Sequence, residues 1–443
     1  MNSPFRLRLC LLAVLLAAAL PTLTHAGEFD PTGAAGPSSE PPETAAPPTR
    51  LPSPDALFDS LDEHLTLSLF NGIVRARLSG LLDLEEYALT RPAPALLLSQ
   101  HAFLTNPRLS FFLDVNVGTR LYFFAQARID RRFDPADKPI QTRLDEYFGR
   151  ATLLDHAPLT LALQAGKFAT VFGNWTPRHL SWDNPFINAP LPYENITSAA
   201  DFAPPGSADE FLSYRGAPAF KFTWVPIVWG PSYATGLALA GTVAGRIDFA
   251  FEVKNAAISS RPEQWDATTR DWRDPTFTGR VGWRPCPDWN LGVSGSGGSY
   301  LTYDATRLPP GDGARDYRQI TFGQDVSYAH GHFQAWAEAF ESRFETPNTG
   351  NADTFAYYVE TRYQLNALCW AGLRWNQQLF GTVPDGAGNE QVWGNDLWRM
   401  DLVFGCRLSE HFQAKVQYSY GREHDPGGER NQQVGAVQVT TRF

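Results

Sequence analysis

Long apolar runs are almost missing from this chain of 443 residues. The one uninterrupted stretch, Leu9 to Leu20, falls short of the roughly 20 residues that a spanning helix needs, so no helical membrane anchor is expected. Cysteine is scarce, with four residues, and methionine scarcer, with two. Cys10 lies inside the apolar run. The remaining Cys286, Cys369 and Cys406 are an odd number, which argues against a fold built on disulfides, although one pair can still form in an oxidising compartment. Basic charge is in deficit. Lys and Arg number 37 against 47 Asp and Glu, for a formal charge of -10, and this removes the positive footprint that nucleic-acid binding requires.

Aromatic residues are abundant instead, with 13 Trp, 15 Tyr and 30 Phe, yet the mean hydropathy is only -0.28. A chain rich in rings but not hydrophobic overall suits strands that put one face in lipid and the other in water. Alternation at period two supports this. Residues 411–420 place Phe412, Ala414, Val416, Tyr418 and Tyr420 on one face, with Gln413, Lys415, Gln417 and Ser419 on the other. Residues 246–254 place Ile247, Phe249, Phe251 and Val253 opposite Arg246, Asp248, Glu252 and Lys254. Residues 109–117 and 121–129 repeat the rhythm around Asp114, Arg120, Gln126 and Arg128.

Connections between these segments alternate in length. Short ones fall near Gly118, Asp155–Pro158, Thr242–Gly245, Pro285–Asp288, His330, Asn366 and Ser409. Longer polar ones fall at 131–140, 259–274, 303–316, 346–352, 381–395 and 422–430. The fold class is therefore all-β: an antiparallel up-and-down transmembrane barrel of about 16 strands, with 18 as the alternative, over residues 61–443. A barrel that wide does not fill itself with strand side chains and leaves an aqueous channel. Residues 169–231 break the rhythm. They are too long for an ordinary connection and dense in Pro, aromatic and charged residues, which predicts a stiff loop that folds into the lumen and constricts it.

The amino-terminal segment carries Arg6 and Arg8, then the apolar run, then Thr24-His25-Ala26, the pattern of a signal peptide over 1–26. Its removal takes the charge to about -12 and leaves eight histidines. Residues 27–60, with Pro41-Pro42, Pro47-Pro48, Pro52 and Pro54, read as an extended leader, a spacer or a contact for a partner. Residues 57–69 fit a short helix or a strand equally well.

The chain ends on an aromatic residue, Phe443, which closes an alternating segment from Asn431. This resembles the carboxy-terminal signal that Gram-negative outer-membrane proteins present to their assembly machinery. Gly166-Lys167-Phe168 followed by Phe172-Gly173 is similar to the motif that precedes the pore-entering loop of Gram-negative porins, most nearly the phosphate-selective porin O/P-like group. The resemblance implies the outer membrane of a Gram-negative bacterium, with the leader in the periplasm and the long loops outside. It also implies contact with outer-membrane lipid and lipopolysaccharide, the barrel assembly machinery as a partner, and a homo-oligomer, a trimer in such porins. No ladder of Lys or Arg on the loop accompanies it, so phosphate selectivity is not implied.

In such a channel the chemistry is a field set by fixed charges of both signs. The pore-lining candidates are Arg120, Arg128, Arg246, Asp248, Glu252, Arg280, Arg362, Arg374, Arg399 and Asp401. The constriction-loop candidates are Trp175, Arg178, His179, Asp183, Glu194 and Arg215. Basic residues slightly outnumber acidic ones on inward faces, which predicts a mild anion preference; the alternative is that these charges pair across strands and only stabilise the wall. No nucleophile stands with a histidine partner, so no catalytic residues are expected. His330 and His332 make too small a set for a metal, and neither metal nor cofactor is expected. Cys369 and Cys406 fall on the outward register, as small hydrophobes. The expected function is passive diffusion of small hydrophilic solutes. The alternatives are a barrel that serves as a sleeve or docking scaffold for a partner, and, less in keeping with the residues, an outer-membrane enzyme.

Overall fold

The computed structural model describes residues 54–90, 102–131, 140–215, 224–268, 272–425 and 427–443. The expected signal peptide 1–26 and most of the leader 27–60 lie outside them. Among the described residues no helix is long and apolar enough to cross a membrane.

Sixteen strands make the wall, in chain order: β1 Val74–Leu89, β2 Phe103–Val117, β3 Leu121–Asp130, β4 Gln141–His156, β5 Leu159–Phe168, β6 Ala234–Val243, β7 Ile247–Lys254 and β8 Thr276–Cys286. The second half runs β9 Trp289–Ser299, β10 Arg318–His330, β11 Phe333–Thr346, β12 Gly350–Gln364, β13 Cys369–Phe380, β14 Leu397–Arg407, β15 Phe412–Asp425 and β16 Gly428–Arg442. Each pairs antiparallel with the next, and β16 returns to β1 over Val434–Arg442, so the sheet closes. Closure satisfies every wall strand on both edges, which a strand in lipid requires.

The faces follow the sequence. On β15, Gln413, Lys415, Gln417 and Ser419 are buried on the lumen side, while Val416 and Tyr418 are exposed on the outside. On β7, Phe251 is 53% exposed and its neighbour Glu252 is 3% exposed, an outward ring beside an inward carboxylate. Lipid covers the former. Phe251→Arg is therefore expected to destabilise the barrel by roughly 2–4 kcal/mol. Ala240→Arg, on an inward position flanked by Ala162 and Ala250, should be nearly neutral. Refolding titrations of the two variants check this, and equal costs would contradict the register.

The seam between the last and first strands is closed by the terminal aromatic. Phe443 exchanges backbone hydrogen bonds with Gly80, at 2.9 and 3.1 Å. Its ring lies over that glycine so closely that a Cβ there would fall 2.4 Å from the nearest ring carbon. Residues 54–64 form helix α1, Pro54–His64. Its Phe58 stacks on Phe443 with centroids 6.4 Å apart, Asp59 lies 3.0 Å from His411, and Asp55 accepts from Ser409 at 2.6 Å. The last residues assigned to the leader are thus the start of a helix seated on the short-turn rim. A short strand, Thr66–Leu69, then pairs with Val74–Arg77 at the start of β1.

Three connections differ from expectation. Residues 346–352 hold a tight turn of three residues between Thr346 and Gly350, because β11 and β12 stay in register to their ends. β15 likewise continues to Asp425 and β16 begins at Gly428, so 422–430 is hairpin and not loop. Residues 381–395 carry a small hairpin of Thr382–Pro384 against Glu390–Val392. Cys369 and Cys406 do face outward, but they are directly opposed on β13 and β14 with Cα atoms 4.1 Å apart and form a disulfide, not two free thiols.

Candidate functional site: the lumen and its inward-folded loop

The described residues between Phe168 and Ala234, 169–215 and 224–233, leave the wall and enter the barrel, and the lumen is where the buried polar groups concentrate. The entry is pinned on β7, where Glu252 accepts from the Thr170 hydroxyl at 2.7 Å and the Val171 N–H at 3.2 Å. Gly173 has φ +73°, and a Cβ there would lie 2.2 Å from the Tyr193 hydroxyl oxygen, so glycine is required at this turn. Its N–H donates to Ser294 on β9 at 3.1 Å. Glu338 on β11 then accepts from the Asn174 N–H and from the Tyr193 hydroxyl, the latter at 2.6 Å.

From there the loop follows the wall from β11 to β16. Arg178 pairs with Glu360, donates to the Tyr358 hydroxyl at 3.1 Å and lies 4.5 Å above the Trp336 ring. Arg374, fully buried, donates to Asp401 at 2.8 Å and to the Asn188 side chain at 2.6 Å, and sits 3.5 Å from Glu360. Arg399 joins Glu194 to Asp401. Lys415 donates to the carbonyls of Ser181 and Asn184, and Gln417 accepts from Ile187 N–H at 2.7 Å. Ile187 finally packs against Tyr87, Leu89, Leu104, Val434 and Ala436, across the seam. Burying so many charges is tolerable only because each has a partner.

The opposite wall stays open. A cavity of about 540 Å³ lies between the start of the loop, from Ala169 to Leu180, and the lumen faces of β3 to β8. This is the space that the loop leaves for a passage.

The candidates divide accordingly. Asp248, Arg280 and His179 line the passage. Asp248 is held by Arg284 at 2.7 Å and Arg280 by Asp325 at 2.6 Å. Arg374, Arg399 and Asp401 lie on the wall under the loop, and Arg178 and Glu194 on the loop are turned to the wall and hold it there. Trp175 does the same: its ring is 4.7 Å from that of Tyr193, which meets Phe340 edge-on at 5.6 Å. Arg128 is engaged with Asp145 at 3.3 Å, and Glu252 is an anchor and not a free lumen charge. Arg362 lies over Trp370 at 4.7 Å, and Asp183 is exposed. Three assignments were misplaced. Arg120 and Arg246 are exposed in short turns, because the strands after them begin at Leu121 and Ile247. Arg215 donates to the Val392 carbonyl of the outer hairpin and is not near a constriction.

His179 ties the start of the loop to its end. Its Nδ1 lies 2.5 Å from the Thr176 carbonyl and its Nε2 2.5 Å from the Tyr233 hydroxyl, the pattern of a neutral ring that donates from one nitrogen and accepts at the other. Burial, with the positive charges of Arg128 and Arg108, pushes its pKa down from 6.5 to about 4. A depressed histidine stabilises the fold fully above its unfolded pKa, and that contribution is lost as pH falls from 6.5 toward 4. Thermal midpoints measured between pH 7 and 4 should show this acid-sensitive component, and His179→Asn should lack it.

Sequence reasoning missed a further feature of the passage. Tyr122 and Phe124 on β3, Phe148 on β4 and Phe168 on β5 all face inward and line it, with Arg150 beside them. The signal was present, since Tyr122 and Phe124 share the register of Gln126 and Arg128, but inward positions of a wet lumen are read for polar residues and rings are assigned to lipid.

No protein-family model matches the chain, and no curated protein matches it in sequence. Its fold does match solved structures. An anion-selective porin from Comamonas acidovorans aligns over 84% of this chain and 100% of its own, with 10% identity and a TM-score of 0.52. OmpF of Salmonella typhi, in complex with daunomycin, aligns over 85% and 100%, with 12% identity and a TM-score of 0.50. A loop L8 deletion mutant of OmpT, an outer membrane protein of Vibrio cholerae, aligns over 84% and 100%, with 10% identity and a TM-score of 0.50. At such identities the likeness establishes the fold alone, that of a closed transmembrane β-barrel.

Proposed function

We propose that the chain is a porin in the outer membrane of a Gram-negative bacterium, through which small hydrophilic solutes diffuse passively without catalysis. The observation that carries this is the combination of a closed barrel, an outward apolar face and an inward loop that narrows the lumen without filling it. The loop also argues for a porin over a sleeve, since the lumen wall from β11 to β16 is already occupied by the chain's own residues. Phe443 at the seam and the exposed outer face fit assembly by the barrel machinery into lipid and lipopolysaccharide, and association into a trimer belongs to the same reading.

A mild anion preference fits the charge pairing. Carboxylates on the wall are mostly held by arginine, as Asp83 and Glu85 are by Arg108, Asp325 by Arg280 and Asp401 by Arg374 and Arg399. Arg150, Arg362, Arg407 and Arg442 instead contact rings, amides or carbonyls. The Gly166-Lys167-Phe168 motif adds nothing to phosphate selectivity, because Lys167 sits on the outward register and reaches Asp266 at 2.9 Å. Single-channel recording in planar bilayers tests the proposal: stepwise conductance in potassium chloride is expected, and correctly folded protein that never conducts would refute it.

A further inference from the structure

One wall of the passage is built of rings, which an all-purpose aqueous pore does not require. Phe124 and Phe148 are opposed across β3 and β4 with centroids 5.4 Å apart. Tyr122 adjoins both, at 6.4 and 6.1 Å, and Phe168 continues the row at 6.2 Å from Phe148. The row runs from the loop end of β5 to the short-turn end of β3, the direction a solute would travel. Further along the same wall, Ala238, Ala240 and Ala250 also line the cavity and leave room where larger side chains would narrow it.

The charge at the inner end of this row is Arg150. It lies directly opposite Tyr122 in the sheet, with its guanidinium 5.8 Å from the Tyr122 ring and 5.4 Å from the Phe148 ring. Its hydrogen bonds go to the side-chain oxygen of Gln164, at 2.9 and 2.6 Å, a neutral acceptor, and it makes no ion pair among the described residues, while the hydroxyl of its cross-strand neighbour Tyr122 donates to Asp114. Arg280 and Asp248 have their ionic partners, and Glu146, which accepts the Ala169 N–H at 2.8 Å, sits with the loop entry at the other end of the row from Arg150. On the loop side, Asn174 Nδ2 and the Thr176 hydroxyl have no hydrogen-bond partner among the described residues.

We propose that the passage is selective for aromatic carboxylates: the ring of the solute stacks along Phe168, Phe148, Phe124 and Tyr122 while its carboxylate is drawn to Arg150. Rings in offset or edge contact attract one another beyond simple burial, and a planar guanidinium suits a carboxylate. Inorganic anions use only the second of these contacts. The inference deepens the porin reading and rests on it.

The test uses benzoate and acetate on the full-length protein in planar bilayers. Benzoate is expected to reduce the chloride current at concentrations where acetate does not, and to be favoured over acetate in reversal potentials. The double variant Phe124→Leu/Phe148→Leu keeps most of the apolar volume and loses the ring faces; it should weaken the benzoate block about three- to tenfold with chloride conductance retained. Arg150→Gln should weaken the block by benzoate and abolish its preference over a neutral ring, benzyl alcohol. Heat-modifiable mobility on gels identifies folded variants. Chloride conductance with equal effects of benzoate and acetate, or a block unchanged in the folded double variant, overturns the inference and leaves the porin reading intact; absence of any conductance overturns both.

Discussion

Removal of residues 174–214 is expected to raise single-channel conductance severalfold in protein that still folds. The deletion touches none of the backbone pairing that closes the wall, since every strand from β1 to β16 lies outside it. It takes away Arg178, Tyr193 and Glu194 together with the backbone groups that Lys415, Asn376 and Gln417 hold, so the lumen along β12 to β15 opens to water while Ile227 and Val228 stay on the wall at β11 and β12. Glu338, Glu360, Arg374, Arg399 and Asp401 then lose their cover, but they become solvated and not stranded, which is why folding should survive. An unchanged conductance in folded protein would mean that the loop does not set the constriction. Neutralising Arg215 alone, by contrast, should leave ion selectivity unchanged, because its partner is the Val392 carbonyl of the outer hairpin.

The difference between these two arginines shows where sequence reading succeeds. Period two is a local property, so the faces of β7 and β15 and the outward register of Phe443 are legible from side-chain order alone. Loop entry is legible too, since only one connection is long and stiff enough to reach the lumen. The path of that loop is not local. Arg178 and Arg215 look alike in sequence, and what separates them is Glu360, 182 residues away, and Val392, 177 residues away. The ends of strands fail for a related reason. Arg120 and Arg246 continue the alternation of their neighbours, but the backbone has already turned at Gly118 and Gly245, both at positive φ. The disulfide was hidden because cross-strand opposition depends on the register of β13 against β14, which a turn of a few residues sets and composition does not.

The largest effect on stability should come from Arg374. Its side chain is fully buried and shared by Asp401, Glu360 and Asn188, so it fastens β12, β13 and β14 and the loop at a single point. Arg374→Met keeps most of the volume and removes the charge, leaving Asp401 with Arg399 alone and Glu360 with Arg178 alone. Taking one partner out of a buried ionic cluster costs about 3–5 kcal/mol, because the remaining charge is left under-compensated. The double variant Arg374→Met/Asp401→Leu should be more stable than the single one. It removes a cation and an anion together and leaves two complete pairs, Arg178 with Glu360 and Arg399 with Glu194. Equilibrium refolding titrations of the wild-type, single and double proteins measure the coupling. Arg284→Gln provides the contrast, since its pair with Asp248 is 43% and 33% exposed and is worth roughly 0–1 kcal/mol. If Arg374→Met costs no more than Arg284→Gln, or if the second substitution simply adds to the first, the buried cluster is not what holds the loop against the wall.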